Sequence, residues 1–510
     1  MPLALLAALL MLASEKADYE RARREEAVAR LAPAPLPSGL PLLGDGGLGP
    51  DGLPRRWVDR PALRSLLWHR RHAELTRAVE ELQAAFEADP RREPWPADAA
   101  QALGTAEPDL VPLLDAWVAA APESFAPWLA RGTHWLEVGW VRRGHRLAKD
   151  TPDADFEAMR EAFRLAQADL SRAAALRPGL VAAMVSGMMV AKVGGDDPLF
   201  AALLQRSLAA CPSCLDPRLV ALWALQPQWG GSLGQMSEFA EHALPRGDPR
   251  RGAMLGTVEI ARADQLSQAG RHVEALAAID RACAASLDVR FLVRRAQARR
   301  RDDPAGALAD ADKAVALRPG DVAPLMARAV IHVTGKRWEA AARDLRAALM
   351  ADPMVGGDLP ANVAGGLVRE ATRHLEAGRW RDAVRLLDLA AELAPDDPEV
   401  QRRREAALTA GVEPSEEAVA ELLRTARATP AEVDVLRRVD ALLSRRGELP
   451  RVVGLWSEYL AAHPDCGRAY LERGGARYQL GQVAEARADA LRACELGVSE
   501  GCARALPASP

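Results

Sequence analysis

Hydrophobic positions along most of this chain recur three or four residues apart, the spacing of one helix face, and are interrupted by glycine and proline at short intervals. The clearest instance is Ala329, Ala341, Ala348 and Pro353, repeated in the same phase by Ala371, Ala383, Ala390 and Pro395. Small residues at this spacing predict two antiparallel helices in close approach, ended by a proline stop. Such a hairpin cannot bury its apolar face alone and must stack on copies of itself. Ala263, Ala275 and Ala282 mark another hairpin, and Ala307, Ala314 and Pro319 the second helix of the next. Gly447, Val452, Tyr459 and Pro464 continue the series, as do Gly474, Ala486 and Ala493, while residues 396–430 fit it poorly. Gly270, Gly335, Gly378, Gly447 and Gly481 fall where a first helix must reverse, at the left-handed cap position. Arg295 stands where the register asks for a small residue. No Val/Ile/Thr/Tyr alternation bounded by turns occurs, so the expected fold class is all-α, an α-solenoid of stacked antiparallel helix hairpins.

Upstream the pattern changes. Residues 1–13, MPLALLAALLMLA, are apolar but too short to span a bilayer. They have the length of a signal-peptide core or anchor yet lack a preceding Lys or Arg. Export or membrane attachment through this end therefore stands beside a cytoplasmic location. A charged, helix-prone stretch follows from residue 14. Six prolines and six glycines between Pro33 and Pro54 then predict a linker without regular structure, so that 14–54 joins the amino terminus to a folded body. A helical domain is expected over 55–248, repeats over 249–503 and a tail over 504–510. In the first of these, Leu63–Ala88 reads as a helix pair, and Leu110–Ala120 begins another helix. Trp128, Gly132 and Trp135 form a stripe on one helix; Ala166, Ala173 and Pro178 return to the hairpin register after an insertion at 141–155.

Composition narrows the function. The chain has 510 residues, 49% hydrophobic and only 5% aromatic, which suits many close helix contacts. Its 66 basic and 70 acidic residues are interspersed, for a net charge of −4, and no basic stripe with interleaved aromatics argues for nucleic acid. Gly230-Gly231-Ser232-Leu233-Gly234 fits the G-x-S-x-G nucleophile elbow, but that elbow needs a preceding strand. Ser232 reads instead as the cap of helix 233–243, after glycines that permit a tight turn. His69 and His72 share a helix face without further ligands and beside two arginines, so no metal is expected. No cofactor motif occurs. Cys211-Pro-Ser-Cys214 is a C-x-x-C at a helix boundary, open to a redox pair, half a metal site or a disulfide. Cys494 and Cys502 are placed for a bridge from the end of one helix to the start of the next, with free buried thiols as the alternative.

The repeat register, with AYLERGGARYQLGQVAEARADALRAC at 469–494, resembles the tetratricopeptide (TPR) repeat over roughly residues 250–503. The spacing of Cys494 and Cys502 resembles that of cysteine-bridged relatives of this repeat in exported bacterial proteins. The 55–248 block resembles a bacterial family of unknown function often found beside such repeats. Trp117, Pro122, Trp128, Arg131 and Gly132 carry that likeness, and above all Gln226 to Ser232, including Trp229, Gly230 and Gly231. Gln228 stands where an Arg is more usual. This second resemblance implies no established activity. The first implies a groove on the first helices of the hairpins, with Met326, Val330, Val368, Thr372, Arg468, Leu471 and Tyr478 as candidate contacts. The expectation is a non-enzymatic protein–protein interaction scaffold with a protein or peptide partner, self-association being a further outcome. The alternative is a hydrolase or redox module in 55–248, using Ser232 or the Cys211/Cys214 pair.

Overall fold

The computed structural model describes residues 40–410, 416, 419–420, 423 and 433–501, apart from 45, 50–51, 145, 147–149, 378, 396 and 499. The apolar run 1–13, the charged stretch after it and the tail 504–510 lie outside the described residues. Among those described there are 23 α-helices and one two-stranded ribbon, and they divide into two compact units meeting at residues 359 and 360.

Unit 1 opens with the ribbon, β1 (Leu42–Leu43) antiparallel to β2 (Trp57–Val58). This corrects the expectation that the Pro/Gly-rich stretch lacks regular structure throughout. Leu42 and Val58 are buried, and Gly44 and Gly47 take positive φ of 88° and 111°, which lets the intervening chain reverse. Helices α1 (Arg60–Trp68) and α2 (His72–Ala88) form the first hairpin, and α3 (Pro94–Leu103) packs on both. After α4 (Leu110–Ala120) come the hairpins α5/α6 (Phe125–Arg143, Asp153–Leu176), α7/α8 (Val181–Gly194, Asp197–Ala210) and α9/α10 (Asp216–Ala224, Leu233–His242). Three more complete the unit: α11/α12 (Arg251–Gln268, His272–Ala285), α13/α14 (Val289–Arg299, Pro304–Leu317) and α15/α16 (Val322–Thr334, Trp338–Ala351). Unit 2 contains α17 (Leu359–Glu376), α18 (Trp380–Leu393), α19 (Pro398–Ala410), α20 (Val433–Arg445), α21 (Leu449–Ala462), α22 (Gly467–Gln479) and α23 (Val483–Glu495).

One reversal joins the hairpins. At Gly270, Gly447 and Gly481 the chain turns left-handed, with φ near 75°, and the next N–H reaches back five residues to a helix carbonyl, as Arg271 does to Leu266. Gly335 departs from the expectation: its φ is −84°, and Lys336 takes the left-handed position at φ 54°. The front of the molecule uses the same turn, through Arg70 at φ 54° and Gly195 at φ 76°.

Inside the hairpins a charged clamp accompanies the small residues. Arg328 on α15 grips Asp344 on α16 with both edges of its fork, Nε at 2.8 Å and Nη2 at 2.7 Å, while Nη1 reaches Asp312 of the preceding hairpin at 3.0 Å. Arg473 holds Asp489 in the same way and reaches Ser457; Arg295 holds Asp310 and reaches Asp280; Arg131 holds Asp169 and reaches Asp115. All four gripped aspartates are buried. Each lies three residues after the middle Ala and four before the last, as Asp344 does between Ala341 and Ala348. Each arginine directly precedes the small residue of its first helix: Gly132, Ala296, Ala329 or Gly474.

This resolves the anomaly at Arg295. The small residue is Ala296, fully buried, and Arg295 is the clamp; its hairpin is one residue shorter, 15 between Arg and Asp in place of 16. The stretch 141–155 resolves similarly. Helices α5 and α6 run to 19 and 24 residues against 13 and 14 in α15 and α16. The Arg131–Asp169 separation is 38 residues against 16 for Arg328–Asp344, the excess being shared by both longer helices and the connection between them, and the clamp still forms across the facing sides. Where the aspartate is replaced, the arginine changes or loses its fork. Leu386 occupies the site in α18 and Glu370 stands in the arginine position; Ala278 occupies it in α12, and the buried Arg262 Nε finds no hydrogen-bond acceptor.

Removing one partner of a buried ion pair strands the other, so Asp344→Ala should cost about 2–3 kcal/mol in urea unfolding. Arg328→Met with Asp344→Leu should recover most of that loss, since Leu386 already fills the equivalent site. Gly132→Ala should also destabilise, by about 1–3 kcal/mol, because its Cβ would sit 2.8 Å from Leu170 Cγ.

Candidate binding surfaces

The two groove residues expected in unit 1, Met326 and Val330, are half-buried on α15. Much of the neighbouring array is covered by the chain itself, because residues 52–103 dock on it. The Arg60 guanidinium joins Asp98 at 2.9 Å to Asp321 at 3.4 Å. Arg318 donates to the Pro54 carbonyl at 3.1 Å, and the Trp57 ring lies so close to Gly320 that a Cβ there would be 2.5 Å away. A cleft of about 480 Å³ remains between α3 and the starts of α9, α13 and α15, its walls carrying Asp98, Asp288, Arg290 and Asp321.

Glu93 anchors this docking. Helix α9 has no side-chain cap of its own, and the Glu93 carboxylate accepts the N–H groups of Leu215 at 2.7 Å and Asp216 at 2.8 Å. A carboxylate at a helix start answers unpaired N–H groups and the positive end of the dipole. Burial and the adjacent Asp216 carboxylate nevertheless outweigh those bonds and push Glu93 up to about 8; burial raises Asp216 to about 6.

In unit 2 the candidates divide. Val368 and Thr372 are half-buried one turn apart, with the threonine hydroxyl returning to the Val368 carbonyl. Arg468 is tied to Glu472 and Glu500 at 2.9 and 2.7 Å. Leu471 is buried in the helix packing, whereas Tyr478 is 68% exposed.

The polar side chains singled out for chemistry are engaged in structure. Ser232 Oγ accepts the Gln235 N–H at 3.2 Å and caps α10. Gly231 makes that turn possible, since a Cβ there would lie 2.0 Å from the Leu225 carbonyl oxygen. Cys211 and Cys214 form a disulfide, both buried, with a Cα–Cα distance of 5.4 Å. Arg218 ties down the loop around them through the carbonyls of Pro212, Cys214 and Ala243. Cys494 is disulfide-bonded; Cys502, the partner expected for it, lies outside the described residues. Among the described residues no cluster of three His, Cys, Asp or Glu side chains could hold a metal. Trp128 donates its indole N–H to the Pro122 carbonyl at 2.9 Å and lies under Arg131.

A second cleft, of about 1130 Å³, is not legible in the sequence because its walls come from segments far apart in the chain. The run Gln226–Trp229 forms one wall, with the Trp229 ring set against Trp223 at 4.8 Å between centroids. The remaining walls are Arg143 at the end of α5, Arg146 just after it, the start of α6, the end of α7 and the end of α11.

Residues 59–206 match the model of a family described as a domain of unknown function (DUF4034). Trp128 and Gly132 fall within that match, and the run Gln226–Ser232 lies beyond it. No curated protein matches the chain. Solved structures similar to it include a tetratricopeptide repeat protein from Parabacteroides merdae, 14% identical, covering 49% of this chain and 99% of that one with a TM-score of 0.23. The TPR domain of P58(IPK) is 16% identical over 67% of this chain and 92% of its own, with a TM-score of 0.22. The human IFIT1 dimer with PPP-AAAA is 13% identical over 86% and 91%, with a TM-score of 0.25.

The Glu93 environment sets a pH dependence. A carboxyl raised in the folded chain keeps its proton where the unfolded chain releases it, so stability should fall as pH rises from about 4.5 through about 8. Urea midpoints measured across that window should decline, and Glu93→Gln should flatten the decline.

Proposed function

We propose that the protein is a non-enzymatic scaffold that binds a protein or peptide partner through exposed faces of its helix hairpins. One observation carries this reading: Ser232 and the Cys211–Cys214 pair, on which a hydrolase or redox function would rest, are spent on a helix cap and a buried cross-link. Stacked hairpins also offer a preformed surface, which lowers the ordering cost of binding. In this reading the 249–503 repeats present partner contacts, and the 55–248 block both braces the array and adds binding surface. Tyr478 is the leading contact, with Val368, Thr372 and Arg468 beside it in function and Leu471 supporting them from within. Met326 and Val330 serve on the other unit.

Crosslinking and affinity capture from native cells should recover a defined protein partner, with unchanged recovery by Ser232→Ala. Tyr478→Ala should weaken that partner by about tenfold, the effect of losing an exposed aromatic anchor. Loss of biological activity in Ser232→Ala with an unchanged circular dichroism spectrum would replace the scaffold reading with an enzymatic one.

A further inference from the structure

We infer that the 1130 Å³ cleft bounded by the Gln226–Trp229 loop is a binding site for an extended acidic peptide segment of a partner protein. This rests on the scaffold reading and deepens it by giving the partner a chemistry and a place. The cleft lies wholly within unit 1, where the end of α5 and Arg146 after it, α6, α7, the loop after α9 and α11 come together. Its volume exceeds the roughly 300–1,000 Å³ of ordinary small-molecule pockets.

The polar groups on its walls are unevenly matched. Arg146 and Arg160 are exposed, line the cleft and have no side-chain partner among the described residues. Arg143 lines it too, spends one nitrogen on the carbonyls of Gly144 and Arg146, and lies over the Phe156 ring at 5.8 Å. The acid on the wall, Asp264, is already paired with Arg294. The Trp229 indole N–H is buried beside the cleft with no acceptor. Arginine and tryptophan only donate hydrogen bonds, so these groups leave unanswered donors and positive charge on the walls. An occupant rich in carboxylate and carbonyl oxygens supplies both, and the arginine fork matches the two oxygens of a carboxylate.

Two further features select a peptide among anions. Gln226, Gln228, Gln265 and Gln268 put four amides on the walls; Gln228 donates to Gln226 at 2.6 Å, and each amide keeps capacity to donate or accept toward a peptide backbone. Phe156, Met159 and Trp229 add an apolar wall for a side chain between the acidic positions. In an extended strand successive side chains alternate in direction, so one face can meet the arginines while the other packs on this wall. A nucleic acid would also satisfy arginines and an aromatic ring, but the glutamine amides on the walls match the alternating N–H and C=O groups of a peptide backbone.

The test uses full-length protein and a short fluorescein-labelled peptide alternating Glu and Leu, read by anisotropy. Binding should be about tenfold or more tighter than for the matching Lys/Leu peptide and should weaken as salt is raised. The double variant Arg146→Glu/Arg160→Glu, both positions being exposed, should lose about tenfold or more for the acidic peptide with unchanged circular dichroism. Equal binding of the two peptides, or an unaffected double variant, overturns the proposal. Tighter binding of labelled oligothymidylate than of the acidic peptide overturns it in favour of nucleic acid. Capture of the native partner separates the two readings. If wild type and double variant recover it equally, the scaffold stands and the cleft proposal falls. If wild type recovers none yet binds the acidic peptide, the scaffold reading falls alone.

Discussion

The bidentate grip of an arginine on a buried aspartate, repeated from hairpin to hairpin, is the constraint around which this protein is built. Ala and Gly let the two helices approach, but small apolar contacts alone specify little about which turn of one helix faces which turn of the other. A guanidinium fork has a fixed geometry, and an aspartate buried among alanines has nowhere else to place its charge. The pair therefore sets register within each hairpin, and the third nitrogen carries that register to the hairpin before it. The long α5/α6 hairpin shows how strict the constraint is, since its helices and their connection lengthened and the clamp was kept. The hairpin with Leu386 and Glu370 shows the alternative, an apolar filling with no charge to satisfy.

The array in unit 1 is not left as a bare surface. Residues 52–103 lie against it through Trp57, Arg60 and Glu93, and Glu93 completes a helix 122 residues away in sequence. Docking of this kind uses part of the face on which a hairpin array would receive a partner. It leaves a charged cleft under α3, and a larger one farther along, where the Gln226–Trp229 loop meets the ends of α6, α7 and α11. The segment that reads as a linker is thus part of the architecture from residue 40 onward.

Side chains with reactive reputations have structural duties here. Ser232 in its G-x-S-x-G setting follows a 3-10 turn and two glycines and ends as a helix cap; the C-x-x-C pair closes on itself under Arg218.

By itself the sequence determined the all-α class, the hairpin spacing and the reversal points, because helix periodicity, small residues and glycine caps act over a few neighbouring positions. It also contained the clamp in readable form, as an arginine before the first small residue and an aspartate between the later alanines. That signal passes unseen while each helix is read alone, and so Arg295 looked like a defect. Tertiary structure alone decided the rest. The docking of residues 52–103, the capping of α9 by Glu93 and the assembly of the large cleft all depend on groups far apart in the chain. Their energies come from burial and charge pairing in space, to which local periodicity is blind.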